Sequence, residues 1–496
     1  MRWWLIAACA LAALPARGQQ TPLLASTPPA LDAGAKEPSL ESILQRLERL
    51  ESENAFLRDR FDAARGAGID DADPQPFIQQ VDHESDDGEG VALCACNQPG
   101  CVHCRQNGQK GAYGRNSSGY PTLKWGGFLQ LDSGWVSQDD ANIAAVGDIQ
   151  AQTGLRRVRL RASGRVHPDI SYVVDLDFAA SGHPSFRDVK FVRNNGAALQ
   201  NVVVGYYQQP FGLDAMSSGR DLVLMERQLP FAFAPFRQPG LGSFGTAEDS
   251  RITWFHSGYA YPTNAFGVSE GDRGGWAYAG RVTALAFDDP EARTLWHLGG
   301  SYSFQDPGND IIRYAIQPGF FVTDPGDMSG AGNVPVFVDT GEIPAQNVNL
   351  YGVETLGLLG PLSLQAEAVT SLVNPDVGGQ LMFSAASAKL GYVLTGESHD
   401  YRRRRGVLGG VTPDNPTTSF FDPLSGAWEV TAAWAWIDLD DQSIQGGKMQ
   451  TAILGLNRYM NSFTKLQLNV IRALLDDPVE GESTATVVAL RAQAEF

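Results

Sequence analysis

Thr486-Val-Val-Ala-Leu-Arg-Ala-Gln-Ala-Glu-Phe496 is the stretch on which the fold turns. Val488, Leu490, Ala492, Ala494 and Phe496 fall on one face, and Arg491, Gln493 and Glu495 on the other. A period of two is the repeat of a strand. A final strand that closes on an aromatic residue is the expected ending of a membrane β-barrel of the bacterial outer membrane. The same alternation runs backward through the chain. Val158, Leu160, Ala162, Gly164 and Val166 oppose Arg157, Arg159, Arg161, Ser163 and Arg165. Tyr172, Val174, Leu176 and Phe178 oppose Ser171, Val173, Asp175 and Asp177. Leu123, Trp125, Gly127, Leu129, Leu131 and Trp135 form the apolar row of an earlier segment. A soluble sandwich also alternates, but it turns its polar face to bulk water. A transmembrane barrel turns that face to a wet lumen.

About sixteen such segments are predicted from Tyr120 onward. They centre near residues 129, 160, 174, 190, 205, 254, 281, 299, 314, 353, 366, 388, 433, 454, 468 and 490. An even count places both barrel termini on the periplasmic side, with short turns there. His167-Pro168-Asp169, Gly360-Pro361 and Met460–Phe463 read as such turns. Long loops are expected at 210–250 and 323–347. Residues 396–427 form a long connection on the opposite, periplasmic side.

Composition agrees with an all-β reading. The 496 residues include 54 Gly and ten Trp, more typical of turns and strands than of helices. Length alone would suggest about three domains, a prior that large barrels break. Thirty-eight Lys+Arg against 56 Asp+Glu give a net charge of −18, which argues against nucleic acid as a partner. A mean hydropathy of −0.19 excludes a bundle of membrane helices but not a barrel, whose alternating strands average to neutral.

The first 119 residues divide differently. Residues 1–18 read as a signal peptide: Arg2, an apolar Trp3–Leu14, then Ala16-Arg17-Gly18 as the cleavage site. Ile6-Ala7-Ala8-Cys9 also resembles a lipobox, although only eight residues precede the cysteine. Residues 19–39 read as a flexible segment. Residues 40–61 carry heptads, with Leu40, Leu47, Asn54 and Phe61 at a and Ile43, Leu50 and Leu57 at d. The g–e′ pairs Arg46–Glu51 and Glu53–Arg58 are opposite in sign, as a parallel coiled coil wants, and Leu44 at e favours three strands. An amphipathic helix lying on the barrel mouth is the alternative. Residues 62–119 read as an acidic linker carrying Cys94, Cys96, Cys101 and Cys104. Two disulfides suit an exported chain, and a small metal site with His103 remains open. Haem attachment is disfavoured because Arg105 follows Cys104.

Several stretches of the barrel region resemble the phosphate-selective porin O and P family. They are Gly205-Tyr-Tyr-Gln-Gln-Pro-Phe-Gly212, Ser217-Ser-Gly-Arg220 through Glu226-Arg227, and Phe233-Ala-Pro-Phe-Arg237. Further on come Leu394-Thr-Gly-Glu397, Gly426-Ala-Trp428-Glu429 and Leu454-Gly-Leu-Asn457. Phe128-Leu-Gln-Leu-Asp132 is similar to versions found in planctomycete-type bacteria. The resemblance implies a homotrimer of sixteen-stranded barrels in the outer membrane, open to small anions such as phosphate. It implies a third loop and a long periplasmic turn folded into each lumen, an arginine ladder down one wall, and a binding site at the constriction. By motif, Arg156 and Arg157 match the paired arginines, Asp188 the aspartate of strand four, Ser217 and Ser218 the loop serines, and Arg227 the arginine of the Glu-Arg pair. Arg220 lies in the same loop. Gln208 stands where the family often carries Lys, and Ala433 where it often carries Arg, which implies weaker phosphate binding.

The residues support part of this directly. Arg157, Arg159 and Arg161 share one face at ~7 Å spacing, a track of positive charge if that face meets water. Arginine forks bind phosphate bidentately and stay protonated. The same arginines can equally hold the wall by pairing with Asp175, Asp177 or Asp188. Arg402–Arg405 would add positive charge at the periplasmic exit. Gly240-x-Gly242-x-x-Gly245 lacks the strand–helix frame of a dinucleotide site and reads as loop glycine. His297 reads as structural. No Walker A or HExxH motif is present and no Ser/His/acid set can be assembled, so no enzyme and no cofactor is expected. The competing readings are a general or sugar-permeable porin and a structural envelope tether.

Overall fold

The computed structural model describes residues 119–179, 184–196, 199–321 and 334–496. The signal peptide, coiled coil and cysteine module expected from the sequence lie outside the described residues. Sixteen antiparallel strands close into a barrel: β1 Lys124–Gln138, β2 Gln152–His167, β3 Ile170–Asp177, β4 Ser185–Gly196, β5 Gln200–Gln208, β6 Arg237–Thr246, β7 Ile252–Ala260 and β8 Trp276–Asp289. There follow β9 Thr294–Asp306, β10 Ile343–Leu359, β11 Leu362–Pro375, β12 Leu381–Val393, β13 Ala427–Asp441, β14 Ile444–Asn461, β15 Thr464–Asp477 and β16 Gly481–Glu495. Each strand pairs with the next, and β16 closes on β1 from Phe128↔Glu495 to Gln138↔Ala485.

The count matches expectation through two compensating differences. The segment near 314 contributes only Ile311–Ile312 and Ala315–Ile316, inside the 307–342 connection. In exchange, Arg237–Thr246 is a strand that the sequence reading placed in a loop, and Gly240, Gly242 and Gly245 sit on it. Those glycines are needed there. A Cβ on Gly242 would lie 2.6 Å from the His256 carbonyl and 2.9 Å from the Tyr207 hydroxyl. The missing side chains blur the alternation and hide the strand.

The barrel turns an apolar surface outward and its charged side chains inward. Leu129, Leu160, Val204, Val282, Val353, Leu390, Leu454 and Leu490 are exposed, while Arg157, Asp177, Glu354, Glu429 and Arg491 are buried. That inversion is what a hydrocarbon surrounding demands. Exposed aromatics mark both rims: Trp135, Trp276, Tyr302 and Tyr351 toward one end, and Trp125, Phe287, Trp296 and Tyr392 toward the other. The second end carries tight connections after β2, β8, β10 and β14, and one long one, 394–426, after β12.

The lumen is partly filled. The connection 209–236 between β5 and β6, here called L3, turns inward with a helix at Leu213–Met216 and a 3-10 turn at Leu229–Phe233. Leu224, Met225, Leu229 and Phe233 pack with Ile312, Tyr314 and Phe320 of the 307–342 connection. Both lie against inward Val348, Phe383, Ile437, Ile453, Ile471 and Val487. The inner wall of β10–β16 is therefore apolar toward the long-loop end. Alternation alone had assigned a polar inner face throughout.

Candidate functional site

The charged wall begins with a bulge. Gln130 pairs with Arg157 but Leu131 with Leu155, so Arg156 is an extra residue in β2. A bulge lets two consecutive side chains face the same way. Arg156 and Arg157 both reach Glu226 of L3, at 2.8 Å each. Arg491 of β16 reaches the same carboxylate at 2.7 Å and Asp132 at 2.6 Å. Arg157 also donates to Gln130 at 2.6 Å. Burial alone would raise the Glu226 carboxyl, but the three guanidiniums outweigh it and hold the group well below the usual carboxylate range. Three cations thus share two anions.

This cluster fastens L3 to the wall, and backbone carbonyls finish the job. Lys465 donates to Arg220 O at 2.9 Å and Leu222 O at 3.0 Å, and Asn457 to Val223 O at 2.7 Å. Arg491 also donates to Met225 O. Gln130 donates to Gly219 O at 3.2 Å. Arg227, taken from the resemblance as a site residue, is buried within L3. It donates to Asp214 O at 2.8 Å and Ser217 O at 2.6 Å, with its guanidinium 5.1 Å from the Phe231 ring centre. Ser217 Oγ donates to Leu213 O at 2.8 Å. Both residues shape the loop. Ser218 is half-buried and makes no side-chain hydrogen bond among the described residues. Arg220, partly exposed, sits 3.5 Å from Glu495.

Further along the same wall, Arg159 and Arg187 flank Asp177 at 2.9 Å and 3.3 Å. Lys190 and Arg237 flank Asp188 at 2.8 Å and 3.0 Å. A second bulge, where Val174 pairs with Val189 and Leu176 with Phe186, sets Arg187 beside Asp188. Arg161 stands opposite Asp175 in the β2–β3 register, half-buried, with no ion pair among the described residues. The ladder of Arg157, Arg159 and Arg161 does face inward. Its first member lies beneath L3, and only the later part meets open lumen. Sequence reading missed Lys190, Arg187, Arg237, Arg491 and Glu226. Lys190 and Asp188 carried a usable signal, being two apart on one strand and so on one face.

From the other end, the connection 394–426 sends in a hairpin of His399–Arg402 and Val407–Val411. Arg402 meets Asp221 of L3 at 3.0 Å, so the two inward segments touch. Arg281 of β8 donates to Arg405 O at 2.8 Å and Gly406 O at 2.7 Å. Gly406 has φ +60, and a Cβ there would lie 2.6 Å from Thr283 Oγ1, so glycine is required on both counts. His297 bridges Glu354 at 2.9 Å and Tyr401 at 2.7 Å, a structural role as expected. His399 contacts Glu429 at 2.7 Å. Burial opposes its protonation, yet Glu429 wins and raises its pKa above the ordinary imidazole value. Of the 402–405 run, Arg402 and Arg403 are held in ion pairs with Asp221 and Asp288.

A closed barrel, inverted in polarity and narrowed by an inward loop along a cationic wall, defines a membrane porin. The sequence profile of the family "Phosphate-selective porin O and P" matches residues 127–496, and the chain belongs to that family. It is 23% identical over 379 residues to Porin O of Pseudomonas aeruginosa, across 72% of this chain and 83% of that one. An uncharacterized protein of Caulobacter vibrioides is also 23% identical, across 68% and 66%. Among solved structures, the anion-selective porin from Comamonas acidovorans matches with a TM-score of 0.45 and 12% identity, over 76% of this chain and 99% of that one. The channel DcaP of Acinetobacter baumannii matches with a TM-score of 0.45 and 14% identity, over 75% and 97%.

Proposed function

We propose that the protein is an outer-membrane channel for passive uptake of small anions, phosphate among them, working as a homotrimer with its N-terminal segment in the periplasm. One observation carries the selectivity: each ion-paired cluster on the charged wall, from β16 through β1 to β6, holds one more cation than carboxylate. Three guanidiniums face two carboxylates at Glu226, two face one at Asp177, and Lys190 with Arg237 face Asp188. The surplus gives a fixed positive potential along the path. A narrow pore strips hydration from an anion and must return hydrogen bonds without holding the ion too long. Shared guanidiniums next to the open lumen suit this, because each is partly engaged already and offers a shallow site, while those beneath L3 act through their charge alone. Arg161 is the least engaged. Gln208 in place of a lysine supports moderate rather than tight phosphate binding.

The test is the reversal potential of purified protein in bilayers under a potassium chloride gradient, with phosphate added as blocker. Anion preference with partial phosphate block is expected. A reversal potential near zero with open channels would favour the general or sugar-permeable porin. Absence of any conductance would favour the envelope tether.

A further inference from the structure

L3 and the periplasmic hairpin are joined inside the lumen by an ion pair, Arg402 Nη2 to Asp221 Oδ2 at 3.0 Å. Both partners are fixed from either side. The carbonyls flanking Asp221, Arg220 O and Leu222 O, accept from Lys465 of β15 at 2.9 Å and 3.0 Å. Arg402 lies between Tyr401, whose hydroxyl is 2.7 Å from Nδ1 of His297 on β9, and Arg403, which pairs with Asp288 of β8 at 2.6 Å. In the ring of sixteen strands, β15 and β8–β9 stand nearly opposite each other. The pair therefore completes a strut that runs from wall to wall. The hairpin backbone also lies close to the L3 carboxylate: a Cβ on Gly410 would stand 3.4 Å from Asp221 Oδ1.

The two sides of this strut differ. On the β2–β4 side, the inward residues Arg161, Ser163, Asp175, Asp188 and Lys190 are half-buried, so water reaches them. On the β10–β13 side, the inward Glu354, Glu367, Glu429 and Thr431 are all covered. Glu354 is answered by Arg281 and Glu429 by His399, while Glu367 accepts from the amides of Leu213 and Asp214. One side thus offers a wet track with surplus cations, the other a dry region rich in carboxylates. A passage with one surplus sign concentrates the opposite ion, and that advantage is lost if ions can also take the other side. Arg402 is 29% exposed and Asp221 9%, so the pair forms the wetted edge where the two inward segments meet.

We propose that Arg402 and Asp221 are positioning residues whose ion pair keeps the seam between L3 and the periplasmic hairpin shut, confining solute to the charged wall. What that wall selects rests on the anion-channel reading; the closure of the seam does not.

The full chain would be recorded in planar bilayers as wild type, Asp221→Asn, Arg402→Gln and the double variant. The double variant removes one charge of each sign and leaves the local net charge unchanged. With the seam open, both single variants and the double should show conductance raised by roughly 1.5-fold or more, and the double should lose about half of the chloride-over-potassium preference. A pair that acted only through its charge would give opposite shifts of reversal potential in the two single variants and wild-type behaviour in the double. That pattern overturns the proposal. A second measurement reads the seam directly. Thr431→Cys, on the covered side, should react with a charged methanethiosulfonate reagent in the double variant, seen as a stepwise loss of current, and stay unreactive when Arg402 and Asp221 are both present. Reaction in both backgrounds, or in neither, overturns the proposal. A wild-type channel without anion preference would sink the anion reading, yet the conductance and labelling comparisons would still report on the seam.

Discussion

Glu226→Gln is the substitution with the most to say about how the channel is narrowed. The side chain keeps its size and loses its charge. Four hydrogen bonds from Arg156, Arg157 and Arg491 currently end on this carboxylate. Afterwards Asp132 would be the cluster's remaining carboxylate, and it bonds Arg491 rather than Arg156 or Arg157. Removing one partner of a buried ion pair costs about 3–5 kcal/mol, because the remaining charge is left uncompensated. At about 1.4 kcal/mol per decade, an equilibrium between docked and undocked L3 would shift by roughly 100- to 4,000-fold. Opposing this, each of Leu224, Met225, Leu229 and Phe233 gains about 1.5–3 kcal/mol from burial. The loop should therefore stay inside but fluctuate. Single-channel recordings should show frequent steps to a higher conductance and a greater share of anion current. The wild type held at pH 5 is the matching control. A depressed folded-state pKa contributes stability that persists above the unfolded value and is lost only as pH falls through the depressed one, so acid at pH 5 should not mimic the substitution. A quiet Glu226→Gln channel with unchanged conductance would refute the anchoring role of the cluster.

Arg161→Gln should move the reversal potential toward cations with little loss of stability, since the side chain makes no ion pair among the described residues and glutamine sets no second carboxylate opposite Asp175; an unchanged reversal potential would remove it from the ion path. Gly242→Val should cost at least ~1–3 kcal/mol by overpacking against Tyr207 and the His256 carbonyl, seen as a lower temperature for loss of the heat-modifiable band on gels. For His399 the folded-state pKa is raised, so its contribution is complete below the ordinary imidazole pKa and lost as pH rises through the raised value. Amide exchange in 399–411 should accelerate with pH beyond the intrinsic rate, and His399→Gln should remove the excess. Unboiled gels after mild extraction should show a band near three times the monomer mass, and monomer alone would sink the trimer.

Elements with clean alternation were legible in the sequence. β2, β3 and β16 each keep apolar and polar rows apart, and their faces point as the rows predict. β6 was hidden because the glycines that make room for Tyr207 and Tyr259 leave no apolar row to see. Isoleucines and aromatics near 314 imitate a strand, but they serve the core inside the barrel. The charged wall was half-legible. Arg157, Arg159 and Arg161 announce a common face, while Glu226, which holds Arg157, is 69 residues away in the chain and Arg491 a further 265. No periodicity reports such pairs. The Arg156–Arg157 doublet required a bulge, and a bulge leaves little trace in sequence beyond a broken period.

The apolar packing inside the barrel has a consequence for any attempt to enlarge the pore. Removing L3 would uncover Val348, Phe383, Ile437, Ile453 and Val487 on the inner wall of β10–β16. Water wets such a surface poorly, and narrow apolar stretches of a pore gate by dewetting. Part of the volume vacated by the loop would stay dry, so ionic current would grow by much less than the geometric opening. Polar residues at Val348, Ile453 and Val487, introduced together with the deletion, are what would let the widened half fill.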